Sequence, residues 1–140
     1  MKSNLFTASL LTLILLAFAL PSRADETTDP AVEAAKSWLK LVDSKKYQES
    51  WVEAAPFFKG KVKEESWIKM VAPVRDPMGD LKTRELISAV YTKTLPGAPE
   101  GEYVVIQFKT AFQNKPDAVE TITPMKDDKG AWRVSGYYIR

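Results

Sequence analysis

The chain has 140 residues, with 20 basic and 18 acidic side chains and neither cysteine nor histidine. These absences exclude disulfide bonds, thiol catalysis, histidine-based triads, and zinc sites built from Cys and His. Chemistry would therefore fall to carboxylates, Lys, Arg, Tyr, Ser and Thr, and we expect no cofactor and no metal site.

The N-terminal residues are typical of a secretory signal peptide. Lys2 precedes an apolar run over 5–20, and small residues stand at positions −3 and −1 of a cut after Ala24. The run is short for a membrane span of about 20 residues, so a cleaved signal is favoured over the alternative, an uncleaved anchor. We therefore predict a signal peptide over 1–24 and a single domain over 25–140. That domain would be periplasmic or secreted, with no stable membrane insertion after cleavage.

The predicted mature chain is electrically balanced. Cleavage takes away Lys2 and Arg23 and no acidic residue, which leaves 18 basic against 18 acidic side chains. A balanced domain has no overall electrostatic attraction for DNA, RNA or an anionic membrane surface. We therefore expect no nucleic-acid partner; the partner would be an unknown small molecule or an envelope protein.

Apolar residues recur at helical spacing three times in the first half of the predicted domain. Asp29 and Pro30 are typical of an N-cap and a first helical residue, and the third helix begins at about Lys63. The breaks are the polar stretch 43–46, Pro56, which ends the second helix, and the turn at 75–79. All four tryptophans are expected mainly in the core, namely Trp38, Trp51, Trp67 and Trp132.

After Gly79 the period changes to two, which is typical of strands. The predicted strands lie at about 83–95, 103–112, 118–125 and 131–139. Helices followed by a four-stranded antiparallel meander make an α+β fold. The apolar side of the helices and the apolar face of the sheet are both buried if three N-terminal helices pack on one face of a curved four-stranded sheet.

Three stretches carry a resemblance to a known family: WLKLVDSKKYQESW at 38–51, RDPMG at 75–79 and GAWRVSGYYI at 130–139. Together they resemble a family of exported bacterial proteins classed as a domain of unknown function. The layout also resembles the cystatin-like, nuclear-transport-factor-like cone, in which a curved sheet wraps helices around a pocket. That superfamily holds isomerases, dehydratases and binding modules, so the resemblance implies a fold without choosing a function.

Two short motifs permit a functional and a structural interpretation. Asp43 and Tyr47 could supply an acid and a phenol to a site, but a helix cap followed by a core-facing aromatic pair is favoured. Arg75 and Asp76 could clamp an anion. The favoured interpretation is that they pair at a helix C-terminus, where Arg75 satisfies the last carbonyls.

The turn of the terminal hairpin predicts which side chains of the last strand face the core. The stretch 127–130 fits a type I turn with Gly130 in the left-handed position. Counting from this turn, Pro124 faces Val134, Ile122 faces Gly136, and Glu120 faces Tyr138. The side chains that face the core would then be Trp132, Val134, Gly136 and Tyr138, with Arg133, Ser135 and Tyr137 outward. The alternative, a slip by one residue, would turn Glu120 to solvent.

An inward carboxylate must be paired or hydrated, because burying an isolated charge is too costly. Gly136 would leave space beside Glu120, and Arg84, Tyr103 and Tyr138 are the nearest suppliers of a partner. These four side chains (Glu120, Arg84, Tyr103, Tyr138) are the predicted ligand-binding residues, and Glu120 is the only candidate for catalysis.

Three functions are consistent with the sequence. The first is an exported, non-catalytic binding or interaction module of unknown ligand. The second is a small carboxylate-based enzyme of the isomerase, dehydratase or hydrolase type, with Glu120 as general base. A second inward carboxylate or a tyrosine within hydrogen-bond reach of Glu120 would favour that enzyme. The third is a structural envelope protein.

Overall fold

The computed structural model describes residues 28–140. Four helices come first: α1 (Asp29–Asp43), α2 (Tyr47–Glu53), α3 (Pro56–Lys61) and α4 (Glu64–Arg75). A 3₁₀ turn at Asp76–Met78 leads into β1 (Leu81–Thr92), β2 (Tyr103–Phe112), β3 (Lys115–Lys126) and β4 (Trp132–Ile139). The predicted α+β class, with helices preceding the strands, is confirmed. The predicted signal peptide and the cut after Ala24 lie outside the described residues.

The helices differ from the prediction at two points. α1 begins at Asp29, with Thr28 as its N-cap and Pro30 in its first turn, one residue earlier than predicted. Pro56, predicted to end a helix, instead begins α3. Proline suits the first turn, because no helical hydrogen bond needs its missing N–H there. The described chain therefore has four helices where the sequence predicted three.

The four strands form one antiparallel sheet in the order β1-β2-β3-β4, so β1 and β4 are its edges. α1 contacts β2, β3 and β4, and α3 contacts β4. The N–H of Ala55 also donates to the carbonyl of Val134 on β4, at 2.8 Å. The helices thus lie over β2, β3 and β4. The exposed apolar residues Leu86, Ile87 and Val90 lie on the edge strand β1.

The core lies between α1, α4 and the sheet, and two tryptophans stand at its centre. Trp38 and Trp67 are buried, as predicted, and their ring centroids lie 5.8 Å apart. Trp51 and Trp132 are only partly buried and pack against the edge of the same core. The Trp38 indole N–H donates to the carbonyl of Ser50 at 2.7 Å, which satisfies the one polar atom of that side chain.

The turn of the β3–β4 hairpin agrees with the prediction. Gly130 has a φ of 80°, in the left-handed region that glycine adopts without strain. Its N–H donates to the carbonyl of Asp127 at 3.0 Å, and Asp127 N–H donates to Ala131. Pro124 then pairs with Val134, so the predicted register holds for the first half of β4.

The second half of β4 departs from the predicted register because of a β-bulge. After Val134 the pairing shifts by one residue, so that Gly136 pairs with Thr123 and Glu120 pairs with Ile139. The predicted pairings of Ile122 with Gly136 and of Glu120 with Tyr138 are therefore wrong. Proline cannot donate to a sheet ladder, so a central-strand Pro124 is typically found at such an irregularity.

The bulge exchanges the orientations of two tyrosines. Tyr137 packs against the core, although it was predicted to point outward. Tyr138, predicted to face the core, is 64% exposed. Each extra residue in a strand reverses the face of every side chain beyond it. Glu120 lies on β3, whereas the extra residue lies in β4, and Glu120 is fully buried as predicted.

Candidate functional site

Six polar side chains, each from a different helix or strand, converge between the helices and the sheet. They are Asp43 of α1, Arg75 of α4, Arg84 of β1, Thr110 of β2, Glu120 of β3 and Tyr137 of β4. We refer to this set as the polar cluster. It contains two guanidinium groups and two carboxylates, so its formal charges cancel.

Glu120 is the most enclosed member of the cluster, with no exposed surface. Its Oε1 accepts from Arg84 Nε at 2.7 Å and from Thr110 Oγ1 at 2.6 Å. Its Oε2 accepts the hydroxyl of Tyr137. Burial and the neighbouring Glu120 charge both raise the pKa of Tyr137, so this phenol stays protonated and serves as a donor. The carboxylate is thus satisfied at both oxygens.

Asp43 links the two arginines. Its Oδ1 accepts from Arg75 Nη2 at 2.8 Å, and Arg84 donates to both oxygens, at 2.8 and 2.9 Å. Burial alone would raise the pKa of Asp43, but the bonds from Arg84 and Arg75 outweigh burial and lower it. Burial opposes the charge of Arg84, yet its bonds to Asp43 and Glu120 raise its pKa above the usual range. Asp43 and Arg84 therefore both stay charged at neutral pH.

Arg75 connects the polar cluster to the surface of α4. Its Nη1 lies 3.3 Å from the Tyr137 hydroxyl and 4.0 Å from Glu120 Oε2. The Phe112 ring centroid is 4.4 Å from the guanidinium carbon, a cation–π distance. Within residues 28–140, Arg75 Nε is the buried side-chain polar atom that has no hydrogen-bond partner.

The first short motif is partly as predicted, because Tyr47 is buried in the core and Trp51 packs against it. The charged residues of both motifs have other roles than those predicted. Asp43 does end α1, but its carboxylate binds the arginines of the polar cluster. The predicted Arg75–Asp76 pair and the capping of α4 by Arg75 are wrong, because Arg75 donates to Asp43 and Tyr137 instead. Asp76 accepts from the buried Tyr47 at 2.5 Å, which ties α2 to the end of α4.

The structure brings together only two of the four predicted ligand-binding residues. Glu120 and Arg84 are directly bonded. Tyr103 is buried elsewhere on β2, where its hydroxyl donates to the carbonyl of Pro99 at 2.5 Å. Tyr138 points away from the core. Gly136 pairs with Thr123 on the face opposite to Glu120, so the space predicted beside that carboxylate is not there.

Sequence reasoning left Asp43, Arg75, Thr110 and Tyr137 out of the site. Asp43 and Arg75 are separated by 32 positions and bonded across two helices, a contact that no local spacing indicates. The sequence did contain a signal for the orientation of Tyr137, namely Pro124 in the third strand and Gly136 in the fourth. Proline and glycine inside strands are typical of a bulge.

A groove opens on the surface beside the polar cluster, between α4 and the end of β4. Its volume is about 230 Å³. The helix contributes Trp67, Met70, Val71 and Val74, and the strand contributes Tyr137 and Tyr138. Arg75 and Ile139 complete the wall. We call this the α4–β4 groove. Met70, at 55% exposure, and Tyr138 stand at its surface, while Arg75 and Tyr137 join it to the polar cluster.

Neither a metal site nor a membrane span is found in the part of the chain that the structure describes. No group of three or more acidic side chains there is placed to hold a metal ion. None of the four helices combines the length and the apolar character that a bilayer crossing requires.

Comparison with known proteins gives a family. No curated protein matches the chain. A family model described as a protein of unknown function, DUF4019, matches residues 34–137. That match runs from Ala34, within α1, to Tyr137 of β4 and so includes every member of the polar cluster and most of the α4–β4 groove. The chain therefore belongs to the DUF4019 family.

Proposed function

We propose that this chain is an exported, non-catalytic binding module that holds an apolar ligand in the α4–β4 groove. The observation that carries the proposal is the exposure of adjoining apolar side chains along one concavity. Met70 is 55% exposed, and Val74 and Tyr138 are exposed beside it. Contiguous apolar surface around a concavity, with a few polar groups at its base, is typical of ligand and partner sites.

The polar cluster supports this function by fixing the walls of the groove. Tyr137 is held by Glu120, and Arg75 is held by Asp43. Because both side chains are anchored from behind, the groove exists before a ligand arrives. A preformed site avoids the cost of ordering side chains upon binding. On this proposal Glu120 and Arg84 are positioning residues, and they do not contact the ligand.

The geometry favours binding over the alternative of a carboxylate enzyme. Tyr137 does lie within hydrogen-bond reach of Glu120, the feature expected to favour catalysis. However, Tyr137 donates to Oε2, while Arg84 and Thr110 occupy Oε1. A general base must be free to accept a proton from a substrate within hydrogen-bond distance, and the fully buried Glu120 has no such contact with the groove surface.

Export is the second half of the proposal and rests on the predicted signal peptide over 1–24. The cystatin-like, nuclear-transport-factor-like cone is proposed as the wider superfamily. The order of helices before an antiparallel meander, with α1 against three strands, supports it. In that superfamily the space between helices and sheet commonly forms a pocket; in this chain we propose that the polar cluster fills it and that binding has moved to the edge.

The experiment is a fluorescence titration of the purified protein with N-phenyl-1-naphthylamine, an apolar probe. Met70→Glu should weaken probe binding by at least about tenfold, because it places a charge in an apolar groove. Val90→Glu is the matched control: Val90 is 58% exposed, on β1, outside the groove. Equal affinities for both variants, or no binding by the unaltered protein, would reject the groove as a site and favour a structural envelope role.

A further inference from the structure

The wall that β4 contributes to the α4–β4 groove is made of three consecutive residues, Tyr137, Tyr138 and Ile139. Successive side chains of a strand point to opposite faces of the sheet. A groove lined by three in a row therefore runs along the edge of the strand, where main-chain groups face outward, and not over one face. β4 is an edge strand of the sheet, so within residues 28–140 no strand pairs with this side of it.

The hydrogen-bond pattern identifies which main-chain groups face the groove. Arg140 and Val119 exchange both of their N–H···O bonds, at 3.1 and 2.9 Å. In an antiparallel ladder such mutually bonded pairs alternate with pairs whose N–H and C=O point away from the partner. Counting back from Arg140, Tyr138 is bonded to β3, while the main-chain groups of Tyr137 and Ile139 point away from it, toward the free edge.

An observed hydrogen bond agrees with this alternation in the part of β4 that precedes the bulge. Val134 pairs with Pro124, and its carbonyl points away from β3, where it accepts the N–H of Ala55 at 2.8 Å. The free edge of β4 is therefore covered by the start of α3 at Val134. Beyond the bulge, at Tyr137 and Ile139, the neighbouring element is α4, and the groove lies between.

We infer that the ligand of the α4–β4 groove is an extended peptide segment that adds to the free edge of β4 as a fifth strand. This inference rests on the proposed function and names the class of partner. An extended peptide would pair with the N–H and C=O groups of Tyr137 and Ile139. Its alternate side chains would enter the groove against Met70 and Val74. Main-chain pairing with pockets for alternate side chains is a general mode of peptide recognition.

A hydrocarbon or lipid chain suits the same groove less well. It would cover the outward main-chain groups of Tyr137 and Ile139 without giving them a hydrogen bond. Burying an unsatisfied peptide group costs more than apolar contact over so small a groove returns. An extended peptide covers the apolar side chains and satisfies the main chain at once.

The opposite edge of the sheet is a weaker candidate. β1 has exposed apolar residues, but its pairing with β2 is interrupted by irregularities after Leu81 and after Leu86. Lys82 and Glu85 also lie along it. Bulges and charged side chains are devices that protect an edge strand from pairing. The free edge of β4 at 137–139 lies beyond the bulge at Ser135, and its three side chains are uncharged.

The experiment uses a capped heptapeptide with Val or Ile at its even positions and Thr or Lys at its odd positions. Two further versions carry N-methyl groups on either the even or the odd residues, which blocks one edge of the peptide at a time. One version should bind at least about tenfold more weakly than the other, because it loses main-chain hydrogen bonds to β4. In ¹⁵N-labelled protein, the Tyr137 and Ile139 amides should become protected from hydrogen exchange when the unmethylated peptide binds.

The protein variant for this test is Ile139→Pro. The Ile139 N–H faces the free edge, so proline removes a donor to the peptide without removing a bond to β3. We expect loss of peptide binding, while an unchanged midpoint of urea unfolding shows that the variant is folded. Equal effects of the two methylation patterns, or full peptide affinity in Ile139→Pro, would overturn the inference.

The outcomes separate this inference from the function on which it rests. If the naphthylamine probe binds and depends on Met70 but the peptide does not bind, the groove is a site for apolar molecules and strand addition is wrong. If neither binds, the proposed function fails as well.

Discussion

Replacing Glu120 with glutamine tests whether the polar cluster holds the fold together. The amide has nearly the same shape, and its oxygen can still accept from Arg84 and Thr110, but the negative charge is lost. Two buried guanidinium groups would then face the single carboxylate of Asp43. Leaving a buried charge without its partner costs about 3–5 kcal/mol. Because the hydrogen bonds to Glu120 Oε1 are retained, we expect a loss near the lower end, about 3 kcal/mol.

Such a loss is a large fraction of the roughly 5–15 kcal/mol that stabilises a small domain. The measurement is the free energy of unfolding in urea, with an unchanged slope to show that the same surface is exposed. Glu65→Gln is the matched control, since Glu65 pairs with Lys69 at 2.7 Å on the exposed face of α4. Loss of a surface pair should not change stability measurably. A Glu120→Gln variant within about 1 kcal/mol of the unaltered protein would show that the network contributes little.

Three further predictions concern packing, pH and processing. Trp38→Ala should cost about 3–5 kcal/mol in urea unfolding, because Trp38 is buried against Trp67; an unchanged midpoint would contradict that packing. The pKa of Asp43 is lowered in the folded state from 3.8. Its contribution to the free energy of unfolding is therefore present above pH 3.8 and is lost as the pH falls through the lower pKa of the folded state. Asp43→Asn should therefore flatten the acid side of the stability profile, and an unchanged profile would argue against it. The exported protein should begin at Asp25, and an intact mass that retains residues 1–24 would show that the segment is not cleaved.

Local patterns predicted most of the fold. The helical stripes, the change to period two after Gly79 and the turn at Gly130 all depend on residues close together in the chain. The error at Pro56 came from the same local rule, since proline both ends one helix and begins the next. Sequence alone does not say which of the two applies where helices follow each other this closely.

The site was predicted only in part, for a different physical reason. Glu120 was placed inside the fold because alternation along β3 is local, and Arg84 was its expected partner. Asp43 and Arg75 each had a sufficient local explanation at a helix end, and their true partners lie more than 30 positions away. A contact between two helices depends on how those helices cross, and that geometry is absent from any one stretch of sequence.

The bulge at Ser135 also separates two parts of the hairpin that an uninterrupted ladder would couple. In a regular hairpin, the loop length sets the position of every residue beyond it. Here one unpaired residue stands between the loop and Tyr137. Loss of that residue would restore a straight ladder without moving the pairs from Gly136 onward. The hairpin therefore keeps Tyr137 on the side of Glu120 whether or not the extra residue is present.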